Sequence, residues 1–350
     1  MNNDLFSQLP ALLLPWYQKN KRDLPWRQDR EPYHVWLSEI MLQQTRVEAV
    51  KGYYSRFLAQ LPTIDALAHA PQEQLNKLWE GLGYYSRVRN LQKAAAQILE
   101  RHGGVFPTDH ADIRELAGIG DYTAGAIGSI CFELPTPAVD GNVLRVCSRL
   151  TADSAPIDKP QTKKALTEAL ARIYPQGHCG DFTQALMELG ATVCVPNGAP
   201  QCQLCPLAGI CLAHREGIET ELPIKTAKKP RRVEEMTVFL LHAGENYALR
   251  KRPETGLLAG LWEFPHVPGD LDAEQALAQL EDWGITPEEV LRSTEKTHIF
   301  THIQWNMSGI YLEVKETDHT HNWFTKEQIQ QEAALPTAFR QFWEEIEAHQ

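Results

Sequence analysis

The chain of 350 residues has no apolar run approaching the ~20 residues that a membrane-spanning helix needs, so no membrane partner is expected. It has no internal repeat and no low-complexity tract, which excludes solenoid and fibrous architectures. The opening stretch, MNNDLFSQLPALLLPWYQKN, holds only a short apolar patch broken by Pro10 and Pro15. It lacks a basic lead-in, so a secretory signal is not expected and a cytoplasmic chain is. Cysteine is scarce and odd in number. Seven are present, which argues against a disulfide framework. A surplus of positive charge is also missing, for the net charge is −11.

That deficit is not evenly spread. Residues 1–235 hold 26 Lys and Arg against 26 Asp and Glu, whereas residues 236–350 hold 8 against 19. A balanced first part and an acidic last third suggest two units with different work. The length allows two separate cores. From Tyr33 to about residue 215 apolar residues recur at helical spacing, as in VWLSEIMLQQTRVEAVKGYYSRFL, QEQLNKLWEGLG, RVRNLQKAAAQILERHG and QTKKALTEALARIYP. ELPIKTAKKPRRVEE, residues 221–235, is basic and poor in apolar residues and reads as a linker. Beyond it, MTVFLLHAGENYALRKRP and THIFTHIQWNMSGIYLEV each read as two strands, and DAEQALAQLEDWG and TKEQIQQEAALP as helices. The expected organisation is a mostly α region over 1–220, a linker over 221–235 and an α+β domain over 236–350.

Three features carry chemistry. LAGIGDYTAGAI, residues 116–127, joins two helices through Gly118 and Gly120. Glycines there let consecutive backbone N–H groups face one phosphate oxygen, with Leu116 and Thr123 flanking the turn. Such a contact places a nucleic acid without reading its sequence, although a glycine-rich turn can also be only a turn. Cys194, Cys202, Cys205 and Cys211 follow a Cys-x7-Cys-x2-Cys-x5-Cys spacing that suits one metal centre, zinc or [4Fe–4S]. Cys131, Cys147 and Cys179 read as core thiols. Glu39 sits in a helix with apolar neighbours on nearly every side, and Asp140 where a loop enters a helix. Singly they read as a solvated Glu and an N-cap. Together, beside a phosphate clasp, they suit acid and stabiliser roles at a glycosidic bond.

LAGIGDYTAGAI followed by VDGN and the four-cysteine loop resembles the helix-hairpin-helix DNA glycosylase superfamily that includes endonuclease III. WLSEIMLQQT, GLGYYSR, AVDGNVLRV, MELGA, CQLCPL, GLWEFP and HIFTH are similar to segments of MutY-type adenine DNA glycosylases. The resemblance implies a helix-hairpin-helix glycosylase fold with an iron–sulfur loop over 194–211 and a MutT-like (Nudix-like) C-terminal domain. It implies a monofunctional, base-excision-repair enzyme that flips adenine out of a mispair with 8-oxoguanine or guanine and hydrolyses its glycosidic bond. Its cofactor would be a [4Fe–4S] cluster, its partner double-stranded DNA at the nucleoid, and its working form a monomer. Glu39 would be the general acid, Asp140 the stabiliser of the sugar cation and Asn142 a support. Tyr122 stands where bifunctional relatives carry a Schiff-base lysine. Gln44 and Tyr84 would enter the duplex, Trp26, Arg27 and Gln184 would line the adenine pocket, and Phe300, Thr301 and His302 would read 8-oxoguanine.

Three positions depart from the family pattern. The first cysteine interval is seven residues rather than six, Thr301 stands where Ser is more common, and Ala117 where Pro is. The region after GLWEFP lacks the acidic signature of a Nudix hydrolase, so a binding domain is expected there rather than a nucleotide hydrolase. The alternatives are an endonuclease III-like glycosylase-lyase for oxidised pyrimidines and a non-catalytic DNA-binding protein.

Overall fold

The computed structural model describes residues 3–227, 230–315 and 320–348. The chain divides into two compact units, one formed by Met1–His69 with Asn90–Ala227 and the other by Ala70–Arg89 with Lys228–Gln350.

The first unit is helical. Its helix Pro32–Leu42 begins on a proline, whose fixed φ suits the first helical turn, and every residue from Tyr33 to Met41 except His34 is buried. A helix apolar all round belongs inside a core, and that is where it lies. VWLSEIMLQQTRVEAVKGYYSRFL, one periodic stretch in sequence, is two helices, Pro32–Leu42 and Val47–Gln60, parted by Gln44 at φ +59°. Helix Cys179–Thr192 packs on three others, Leu9–Asn20, Asp121–Phe132 and Gly141–Thr151. Leu9, Leu13, Phe182, Leu186, Val143 and Leu150 meet there in one core. Its approach to the first turn of helix Gly141–Thr151 is so close that a Cβ on Gly190 would lie 2.5 Å from Asn142 Cβ.

The second unit is a mixed sheet between helices. Its strands are β1 (Arg232–Ala243), β2 (Asn246–Lys251), β3 (Trp262–Glu263), β4 (His266–Pro268), β5 (Pro287–Ile299), β6 (Ile303–Val314) and β7 (Asn322–Thr325). The order is β3-β2-β1-β6-β5, with β4 on β1 and β7 on β2. β1 and β6 run parallel and the other pairs antiparallel. Alternation along β1 sends Val238 and Leu240 toward Phe339 and Phe342 of helix Thr337–Ala348. Phe239 and Leu241 point the other way, to Ala276 and Leu280 of helix Ala273–Asp282. Both faces are covered, so β1 is buried without a break from Met236 to Leu241.

The division differs from the expected one in two places. β1 begins at Arg232, inside the stretch read as a linker, because Arg232 and Val233 pair with Ile303 and Gln304; residues 228 and 229 of that stretch lie outside the described residues. Residues 70–89, placed by periodicity within the helical region, pack with the C-terminal unit. The Asn76 amide donates to Gly260 O at 3.5 Å, Lys77 Nζ to Ile329 O and Ala333 O, and Leu335 N–H to Glu80 Oε1 at 2.9 Å. Helical spacing shows that a face is buried, not which core buries it.

Candidate active site

The helical unit holds a cleft of about 570 Å³ lined by Trp26, Arg27, Glu39, Gln44, Tyr122, Asp140, Asn142 and Gln184, all expected site residues. Leu24, Ser38, Lys163, Met187 and Glu188 complete much of its wall.

Glu39 enters from the buried helix Pro32–Leu42 and is 7 % exposed. Burial pushes its carboxyl up to about 7, the charge of Asp140 adding to the shift and the Tyr122 hydrogen bond opposing it. Tyr122 Oη donates to Glu39 Oε2 at 2.5 Å. Burial and the two carboxylates hold the phenol well above its ordinary range, so it remains a donor.

Asp140 is the N-cap of helix Gly141–Thr151. One oxygen accepts the Val143 N–H at 2.8 Å and the other the Asn142 amide at 2.8 Å. The cap geometry and the cleft position come together, since both oxygens are held while the carboxylate faces the cavity. Burial pushes Asp140 up and these bonds oppose it. Asn142 Oδ1 in turn accepts from Arg145, whose guanidinium also reaches Gly190 O at 2.7 Å and Cys194 O at 2.7 Å. The loop is thus tied both to helix Cys179–Thr192 and to the first cysteine.

Glu188, also in the cleft lining, is completely buried. It accepts from Arg22 Nε at 2.7 Å and from Arg27 at 2.8 Å, and these bonds outweigh its burial and hold its carboxyl down at about 2. It escaped the sequence reading. The available signal was a charged residue in the apolar MELGA segment, one helical turn after Gln184. Trp26 is buried edge-on against Tyr54, with centroids 5.5 Å apart. Gln44 is exposed at the rim.

The hairpin lies between helices His110–Glu115 and Asp121–Phe132. Leu116 and Thr123 face inward at 3 % and 2 % exposure, so their side chains do not reach a phosphate, and the Leu116 N–H is already given to Ile113 O at 3.3 Å. Gly118, at φ +75°, makes the turn and packs so tightly that a Cβ would lie 2.6 Å from Asn90 Cβ. Nothing stands within 4 Å of a Cβ on Gly120. Among the described residues the N–H groups of both glycines have no hydrogen-bond partner, which leaves two donors outward.

Cys194, Cys202, Cys205 and Cys211 line one chamber, walled by Val146, Leu150, Leu189, Val193 and Leu207. All are free thiols. The Arg149 guanidinium donates to Cys194 Sγ at 3.3 Å. The seven-residue interval loops outward through exposed Pro196 to Ala199, and Gln201 N–H closes it on Val193 O at 3.0 Å. The extra residue therefore does not keep Cys194 from Cys202. Four sulfurs around one largely apolar chamber, with Arg149, His214 and Glu219 also in its lining, fit a thiolate-held metal centre. Cys147 and Cys179 are buried in the core as expected; Cys131 is half-buried.

Gln44 and Tyr84 do not share a unit. Tyr84, at φ +48° and 47 % exposed, belongs to the C-terminal unit, where its Oη lies 3.0 Å from Thr301 Oγ1. Phe300 is half-buried edge-on against Trp305 at 4.8 Å and anchors the β5–β6 turn, leaving Thr301 and His302 exposed at its tip.

A family model described as HhH-GPD superfamily base excision DNA repair protein matches residues 37–172, and a NUDIX domain model matches residues 237–345. Adenine DNA glycosylase of Rattus norvegicus is 36 % identical over 96 % of this chain and 77 % of its own length. That of Homo sapiens is 36 % identical over 94 % and 72 %, and that of Buchnera aphidicola (strain APS) 33 % over 89 % and 87 %. A solved thermostable thymine-DNA glycosylase superposes with a TM-score of 0.56 at 28 % identity, covering 61 % of this chain and 98 % of that one. Endonuclease III in complex with DNA shares the fold, with a TM-score of 0.52 at 23 % identity over 61 % of this chain and 98 % of that one. No helix among the described residues is long and apolar enough to cross a membrane. With both domain models in place and such relatives aligned over nearly its whole length, the chain belongs to the adenine DNA glycosylase (MutY) family of base-excision-repair enzymes.

Proposed function

We propose that this enzyme removes adenine mispaired with 8-oxoguanine, or with guanine, from double-stranded DNA and leaves an abasic site. The observation that carries the reading is a buried carboxyl poised at about 7 in a 570 Å³ cleft that a hydrogen-bonded second carboxylate also lines. The Gly118 and Gly120 N–H groups hold a backbone phosphate while the adenine is flipped into the cleft. Protonated Glu39 gives its proton to N7 of the purine. The C1′–N9 bond then breaks and its electron pair leaves on the base. Asp140, ionised and held by Val143 and Asn142, stabilises the positive sugar. Water adds at C1′ and returns its proton to Glu39. Trp26, Arg27 and Gln184 line the adenine pocket, and Glu188 fixes Arg27 there.

A [4Fe–4S] cluster fits Cys194, Cys202, Cys205 and Cys211. When bound it supplies iron–thiolate bonds that close the 194–211 loop, and an absorbance band near ~400 nm reports it. In the C-terminal unit, Thr301, His302 and Tyr84 meet the 8-oxoguanine, the Tyr84–Thr301 contact holding the tip in place; in the helical unit, Gln44 at the cleft rim enters the duplex. Lys163 in the cleft wall gives a specific basis for a second reading, a lyase acting through a Schiff base.

Single-turnover adenine release from duplexes with 8-oxoguanine or guanine opposite adenine tests the proposal, with Glu39→Gln as control. Release that the control abolishes, faster opposite 8-oxoguanine and without a borohydride-trapped adduct, is expected. Intact binding with no release would favour a binding protein, and a stoichiometric trapped adduct the lyase.

A further inference from the structure

Two side chains in the cysteine chamber have no place in that reading. His214 and Glu219 both face the space that the four thiols line. The backbone brings them there. Cys211 opens the short helix Leu212–Glu216, and Gly217, at φ +71°, ends it. Ile218 N–H then returns to Ala213 O at 3.0 Å, and the turn lays Glu219 back against His214. His214 Nδ1 is 3.5 Å from Glu219 Oε1, and Cys202 Sγ is 4.0 Å from the same oxygen. One ligand atom from each residue lies within 4.8 Å of both others. The second carboxylate oxygen of Glu219 is buried with no hydrogen-bond partner among the described residues, an unmade interaction that a cation would supply.

These distances approach the ligand spacing of a bound divalent ion. Zinc bonds of ~2.3 Å to sulfur and ~2.1 Å to nitrogen and oxygen, in a tetrahedron, set ligand atoms about 3.4–3.6 Å apart. The His214–Glu219 spacing is already there, and small rotations bring in Cys202. His214 is 43 % exposed and Glu219 23 %, so water can take the fourth position.

We propose that Cys202, His214 and Glu219 form a second metal site, for one zinc-like divalent cation, which shares Cys202 with the four-thiolate centre and therefore alternates with it. Binding turns the Cys202 thiol into a thiolate and releases one proton, with no change of oxidation state. His214 ligates as the neutral ring and Glu219 as the carboxylate. When the iron of the four-thiolate centre is lost, zinc pins Cys202 to the turn after Gly217 and keeps the loop closed. This inference goes beyond the glycosylase reading and stands or falls without it.

The full chain, stripped of iron under reducing conditions, is titrated with Co²⁺ alone and with Zn²⁺ alone. One ion per chain is expected, with a Co²⁺ spectrum carrying the charge transfer of a single thiolate. His214→Ala and Glu219→Gln should each weaken binding about tenfold or more, whereas Cys194→Ser should leave it unchanged. Iron content and visible absorbance of the two former variants, as purified, should equal those of the parent, which separates lost ligation from misfolding. Weakened binding in Cys194→Ser with none in the His214 and Glu219 variants would put the ion on the four thiols and overturn the proposal, as would no binding at all. Should stripping unfold the chain, zinc per chain is counted after expression in iron-limited, zinc-supplemented medium. One is expected for the parent and for Cys194→Ser, and none for the His214→Ala/Glu219→Gln double variant; equal zinc in that double variant overturns the proposal.

Discussion

Tyr122 gives its hydroxyl hydrogen to Glu39 at 2.5 Å, so the hairpin that offers N–H groups outward also supports the buried acid from within. The bond favours the ionised form of Glu39, whereas burial favours the protonated one and is the larger effect. The rate of base release should therefore fall as pH rises through about 7. Tyr122→Phe removes the opposing bond and should move that fall to higher pH. A single-turnover pH profile reads the shift; a move to lower pH would contradict this account.

Glu39 also bears on stability. Its carboxyl titrates near 7 in the fold against 4.5 when free, so ionisation opposes folding. The cost is absent below about 4.5 and grows as pH rises through 7. Glu39→Gln should be inactive yet more stable than the parent by ~1–3 kcal/mol at pH 8, with the difference vanishing near pH 4. Denaturant unfolding at the two pH values checks it.

Glu188 has the opposite sign. Held at about 2, it contributes stability that is present above about 4.5 and is lost as pH falls toward 2. Glu188→Gln strands Arg22 and Arg27 and should cost ~2–4 kcal/mol at pH 7, discounted for the exposed part of Arg22. Its stability should change less than the parent's between pH 5 and pH 2. Adenine release should fall with it, since Arg27 loses its anchor.

Gly190 has no room for a side chain, because a Cβ would meet Asn142 Cβ at 2.5 Å. Gly190→Ala must push the Asp140 loop. A stability loss of ~1–3 kcal/mol is expected, with a larger relative loss of rate, about tenfold or more. Unchanged release kinetics would show that the loop tolerates the shift.

Much of this was legible in the residues. Glu39 read singly as a solvated residue and gained an acid's role only beside Asp140 and the clasp, whereas it is buried; Asp140 before Gly-Asn implied a cap, which it is while also lining the cleft. The strands at Met236 and Asn246 announced themselves as apolar runs on either side of a Gly-containing turn. Glu188 stayed hidden because its partners Arg22 and Arg27 lie more than 160 residues away in sequence, and no local pattern records such a pairing. The short strands β3, β4 and β7 have too few residues to show a period. Helix Thr337–Ala348 went unread although its apolar face is regular. Tyr84 was expected beside the duplex, but its company with Thr301 could not be read, because periodicity is silent about which core a segment joins.

The grip of Gly260, Ala333 and Leu335 on residues 70–89 bears on how such a gene could be inherited. A recombination event near codon 227 would carry off the strands and leave Asn76, Lys77 and Glu80 behind without Gly260 O, Ile329 O, Ala333 O and Leu335 N–H. The C-terminal unit is not a detachable cassette. Two stretches of the reading frame, separated by residues 90–227, must drift together, and a chimera would have to exchange both or neither.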